Sequence, residues 1–68
     1  MDVMKSMREI YTAQITQSKL NVQILLNNPT SIPEHSDFVK ELDKHIGDIA
    51  TATDKLAVLI KHMEDLWT

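Results

Sequence analysis

Sixty-eight residues with one glycine, two prolines and 43% hydrophobic residues make one small domain, too apolar and too periodic for a disordered tail. The chain has no cysteine, which excludes a disulfide framework and a thiolate metal site and fits a reducing, cytoplasmic setting. The net charge of −3 is divided unevenly: residues 1–28 carry Lys5, Arg8 and Lys19 against Asp2 and Glu9, and the remainder carries four lysines against eight acids, which argues against nucleic acid or an anionic membrane as the main target.

The opening stretch, MDVMKSMREIY, lacks the unbroken apolar core of a signal peptide, and the longest apolar runs, LAVLI and ILL, fall far short of a membrane span. Helix 1 is expected over about residues 2–27. Val3, Met7, Ile10, Ala13, Leu20 and Ile24 form one apolar row and Met4, Tyr11, Val22 and Leu25 a neighbouring one. Gln14, Gln17, Ser18 and Asn21 fall inside that apolar sector as a polar waist. The waist is expected to form a buried hydrogen-bonded layer fixing register, with a solvated face as the alternative.

The segment LLNNPTSIPEHSDF, residues 25–38, holds both prolines and reads as a turn. Asn27 and Asn28 before Pro29 stop helix 1, since asparagine tolerates the left-handed cap and proline disfavours helix at the preceding residue. Ser31 and Glu34 have capping-box spacing with Pro33 in the first turn, and Ser36 or Asp37 competes as the cap. Asn28-Pro29-Thr30 is no glycosylation acceptor, because proline occupies its middle position.

Helix 2 is expected over about residues 34–67. Val39, Leu42, Ile46, Ile49, Thr53, Leu56, Ile60, Met63 and Trp67 recur at alternating steps of three and four, an a/d seam broken only by Thr53. Phe38, Ala52, Leu59 and Leu66 flank it on one side and Ala50 and Ala57 on the other, a stripe wide enough for two or three neighbours. The predicted fold is an all-α antiparallel helical hairpin, one domain over residues 1–68, assembling as a dimer into a four-helix bundle.

With the chain turning near residue 31, the waist is expected beside His45 and Gly47. Gly47, the only glycine, sits inside a helix at up to ~1 kcal/mol relative to alanine. It reads either as a point of close backbone approach or as a tolerated surface residue. The same register carries residues beyond about 60 past the end of helix 1, so Met63, Leu66 and Trp67 overhang it. Met63, Leu66, Trp67, Gly47 and Leu59 are the candidate partner-binding residues. Val39, Leu42, Ile46, Ile49, Leu56 and Ile60 are the candidate core and dimer seam.

No catalytic pattern is present: there is no glycine-rich phosphate loop, nucleophile elbow or His-Glu-x-x-His spacing. Glu41 and His45, four apart on one face, make half of a metal site in a symmetric dimer, or a boundary histidine with ordinary hydrogen bonds. The expectation is no metal, no cofactor and no enzymatic activity.

The layout of a short hairpin of two amphipathic helices resembles the plasmid regulators of the Rop family. That resemblance implies antiparallel four-helix dimers and RNA binding, and this chain lacks the basic face that RNA binding needs. The segment PEHSDF before an amphipathic helix is similar to the second helix of small type III secretion needle co-chaperones, through Pro33, Glu34, Phe38 and the later leucine and isoleucine rhythm. That resemblance implies a hairpin holding an aggregation-prone protein together with a second chaperone. The expected function is therefore a protein–protein interaction module, an inhibitor, adaptor or chaperone subunit, with a Rop-like nucleic-acid regulator as the alternative.

Overall fold

The computed structural model describes residues 2–28 and 35–67, apart from the side chains of His35, Ser36, Glu64 and Trp67. Helix α1 runs Val3–Asn27 and helix α2 runs His35–Val58, followed by a π-helical turn, Leu59–Met63, and a last α-turn, α3, Glu64–Trp67. The chain is an all-α helical hairpin, and among the described residues there is no strand. The linking residues Pro29, Ser31, Pro33 and Glu34, on which the expected turn and capping box rest, lie outside the described residues.

Both ends of α1 are closed by side chains. At its start Asp2 Oδ1 accepts from the Lys5 backbone N–H at 3.0 Å, and the Asp2 carbonyl accepts from the Ser6 N–H at 3.1 Å. An N-cap aspartate of this kind contributes about 1 kcal/mol. At the other end the Asn28 side chain and backbone N–H both donate to the Ile24 carbonyl at 3.1 Å, and the backbone N–H also reaches the Leu25 carbonyl at 3.4 Å. The helix stops where the asparagines predict, but without a left-handed residue: Asn28 sits at φ −132°. Side-chain donation to an orphan carbonyl replaces the left-handed cap. Helix α2 begins at His35, so Ser36 and Asp37 lie within its first turn, where the Asp37 carboxylate opposes the positive helix end.

Each helix turns a strict heptad row toward the other. On α1 the row is Met4, Tyr11, Ser18 and Leu25; on α2 it is Phe38, His45, Ala52 and Leu59. Met4, Ser18, Leu25, Ala52 and Leu59 are buried and the others half-buried. Ile15 and Val22 on α1, and Leu42, Ile49 and Leu56 on α2, complete the interface as half-buried residues one step along. The hairpin is thus held by a single seam whose middle level is the small pair Ser18 and Ala52.

This seam differs by one residue from the expected one. Val39 and Ile60 are 50% exposed and Ile46 53%, so of the candidate core seam from Val39 to Ile60 it is Leu42, Ile49 and Leu56 that contribute to the hairpin. In an α-helix, one residue is a rotation of about 100°, enough to carry a side chain from the interface to the rim. The π-turn adds a further offset. It carries more residues per turn, so Met63 leaves the heptad phase that runs as far as Ile60.

Candidate functional site

The register of the hairpin decides which residues share a surface. The Lys55 ammonium lies 6.0 Å from the Tyr11 ring centre, at the outer limit of a cation–π contact. An open groove of about 390 Å³ is lined by Gln14, Gln17, Ser18 and Asn21 from α1 and by Asp48, Thr51 and Ala52 from α2. A second groove, near the hairpin's turn end, joins Asn21, Ile24 and Leu25 to Glu41 and His45. Gln14, Gln17 and Ser18 of the polar waist therefore face Asp48 to Ala52, about one helical turn further along α2 than His45 and Gly47, while Asn21 also reaches the groove of His45 as expected.

Nor is the waist a buried layer. Ser18 is buried and Asn21 half-buried, but Gln14 and Gln17 are exposed, and Gln17 Nε2 donates to Asn21 Oδ1 at 3.1 Å along the groove wall. Only the serine enters the interface; the amides form its rim.

The same register shortens the overhang. Leu59 is buried in the seam, which removes it from the surface offered to a partner. Met63, 39% exposed, shares a groove with Tyr11, Asp54, Lys55, Val58 and Leu59 and so lies alongside α1 rather than beyond it. Leu66 is 76% exposed, the most exposed of the large apolar side chains described. The Trp67 side chain lies outside the described residues. Gly47 has a negative φ, and a methyl group placed on its Cα meets nothing within 4 Å, so no close approach of α1 explains it.

Two faces flank the seam. In an antiparallel pair, residues just before the inner row share one face and residues just after it share the other. The first face combines Val3, Ile10, Gln17 and Ile24 of α1 with Asp37, Lys44, Thr51 and Val58 of α2; the shared grooves of Gln17 with Thr51 and of Ile24 with Glu41 mark this side. The second combines Lys5, Thr12, Lys19 and Leu26 of α1 with Val39, Ile46, Thr53 and Ile60 of α2. Exposed apolar side chains lie on both: Ile10 at 46% and Ile24 at 53% on the first, Leu26 at 53% with Val39, Ile46 and Ile60 on the second. On α2 the second face carries Val39, Ile46 and Ile60 with Thr53 between them, and it is the row that heptad reading selects.

Glu41 and His45 meet as expected: His45 Nε2 lies 3.3 Å from Glu41 Oε1. His45 Nδ1 is buried with no hydrogen-bond partner. Among the described residues no group of three or more histidines, cysteines, aspartates or glutamates is placed to hold a metal ion, and no helix is long and apolar enough to cross a membrane. No family model matches the chain, and no curated protein or solved structure matches it either.

Proposed function

We propose that this chain is a small non-enzymatic protein–protein interaction module that presents amphipathic helix faces to a protein target, as an inhibitor, adaptor or chaperone subunit does. One observation carries this reading. Large apolar residues continue at helical spacing outside the hairpin's own seam and stand 50–76% exposed, from Ile24 and Leu26 through Val39, Ile46 and Ile60 to Leu66. A helix face that repeats apolar residues every three to four positions is what another amphipathic helix docks against. Isolated surface leucines need no explanation; aligned rows do. The cysteine-free composition fits a cytoplasmic setting.

Affinity capture from the native cell with mass-spectrometric identification tests the reading, run in parallel with Ile46→Glu and Ile24→Glu. Retention of a protein by the unaltered chain and its loss with one of the two variants supports an interaction face. Identical capture by all three would sink it.

The runner-up is a nucleic-acid regulator of the Rop kind. Lys5 and Lys19 do fall on one face with Thr12. Two or three cations neutralise too few phosphates to hold a duplex at physiological salt, and α2 beside them is acidic. A salt-sensitive micromolar affinity for RNA or DNA hairpins would reverse the ranking.

A further inference from the structure

We infer that the exposed row Val39, Ile46, Thr53 and Ile60, with Leu42, Ile49 and Leu56 beside it, pairs with the same row of a second copy of this chain in antiparallel orientation. The inference rests on the reading of this row as an interaction face and names its occupant.

Surface area gives the first argument. The hairpin exposes 5237 Å², whereas a compact monomer of this mass exposes about 4,400 Å². The excess is close to the ~800 Å² per partner that a stable protein interface removes from water. Shape agrees: the radius of gyration is 15.5 Å, against about 11 Å for a compact domain of this length. A single hairpin seam leaves each helix with one covered side, and a second hairpin supplies the missing one.

Spacing gives the second. Leu42, Ile49 and Leu56 are half-buried and border both the hairpin seam and the exposed row, so they serve as the d positions of a second heptad seam with Val39, Ile46, Thr53 and Ile60 at a. Antiparallel pairing of two such seams aligns a with d. Leu42 then meets the partner's Ile60, Ile46 the partner's Leu56 and Ile49 the partner's Thr53. Every layer keeps at least one large aliphatic residue, and Thr53, the only polar member, is never set against itself. Ala50 and Ala57, both exposed and adjacent to the row, let the helices approach closely.

Charge gives the third and chooses the orientation. Asp43 follows Leu42, and Lys61 follows Ile60. Pairing Leu42 with the partner's Ile60 sets Asp43 beside the partner's Lys61, twice by symmetry, and opposes the two helix dipoles. A parallel pairing would separate Asp43 from the partner's Lys61 along the seam and align the two helix dipoles.

Sedimentation equilibrium on the full chain tests this. The unaltered chain is expected to be a dimer at micromolar concentration. Ile46→Glu should raise the dimer dissociation constant by about a hundredfold, since a charge enters two layers at once. Ile24→Glu, on the other face, should leave it unchanged. Asp43→Lys should weaken the dimer roughly threefold, as a loss of two exposed ion pairs does, and Asp43→Lys combined with Lys61→Asp should restore it. The charge swap keeps the test valid even where Ile46→Glu fails to fold. A chain that stays monomeric at about 100 μM, a dimer untouched by Ile46→Glu, or a charge swap that fails to restore would overturn the inference. A monomer in which Ile46→Glu still abolishes capture of a target overturns only the self-pairing; a monomer whose Ile46→Glu and Ile24→Glu variants capture what the unaltered chain captures overturns the interaction reading as well.

Discussion

His45 and Glu41 lie one helical turn apart on α2, with Nε2 of the imidazole 3.3 Å from the carboxylate oxygen Oε1. That contact uses one ring nitrogen at the edge of the interface and leaves Nδ1 inside it without a partner. Among the inner-row residues of α2 at heptad spacing, Phe38, His45, Ala52 and Leu59, histidine is the one with a polar group. A buried acceptor that gives up water without a hydrogen bond costs about 1–3 kcal/mol. Replacing it with a residue of similar volume and no polar atom, His45→Leu, should therefore stabilise the hairpin by ~1 kcal/mol. Thermal unfolding followed by circular dichroism should show a rise of a few degrees. A fall in melting temperature would mean that Nδ1 has a partner in solution, and a zinc-dependent rise in the unaltered chain would identify it.

Gly47 calls for the opposite kind of substitution. Its φ is negative and the space that a methyl group would occupy is empty, so alanine fits without strain. Gly47→Ala should stabilise the chain by about 0.5–1 kcal/mol through helix propensity alone, read as a higher urea midpoint. If stability rises while capture of a target falls, the glycine marks where a partner's backbone comes close.

At the middle of the seam the constraint is steric. Ala52 is 2% exposed and shares its level with the buried Ser18. Ala52→Leu adds three carbons where two small residues meet, and overpacking of that sort costs about 1–3 kcal/mol. Urea unfolding of the variant should show that loss. An unchanged midpoint would mean that the helices separate freely at the waist and that the polar groove there is part of no fixed interface.

Helix identity and lengths are legible in the sequence because periodicity over twenty-odd residues is a strong signal, and the stop at Asn27 and Asn28 is legible because a proline follows. Which side of α2 faces α1 is not. Val39, Ile46 and Ile60 are all β-branched aliphatics, whereas the row of Phe38 and Leu59 includes His45 and Ala52, so pattern reading selects the former. Facing is decided by the other helix: where α1 offers Ser18, only a small residue such as Ala52 allows approach, and pairwise fit of that kind has no signature in one helix alone. The expected register is off by about a turn for a related reason. The centre of the connection is its only anchor in the sequence, whereas the fit of buried Ser18 at the level of buried Ala52 sets it by packing. The π-turn at Leu59–Met63 has no marker in LIKHM, so heptad phase extrapolated through it misplaces the end of the stripe. Glu41 beside His45 is recoverable from spacing alone, since residues four apart on a helix are neighbours.

Leu66 carries the last test, because the observed register leaves it as the exposed apolar side chain at the far end of the hairpin among the described residues. Leu59 is buried and Met63 packs alongside Tyr11, so truncating either removes hairpin contacts together with any contact to a target. Leu66, at 76% exposure, has little left to lose to the fold. Leu66→Ala should leave the melting temperature within about a degree, as exposed substitutions do. If the end of the hairpin anchors a target, the same change should weaken its binding by roughly tenfold, close to 1.4 kcal/mol. Met63→Ala provides the contrast: it should lower the melting temperature, because the groove it shares with Tyr11 and Val58 belongs to the hairpin. Calorimetric titration of the captured target against both variants, with unfolding curves on the same samples, separates the two roles. Unchanged affinity for Leu66→Ala with a large loss for Ile46→Glu would move the binding face from the end of α3 to the middle of α2.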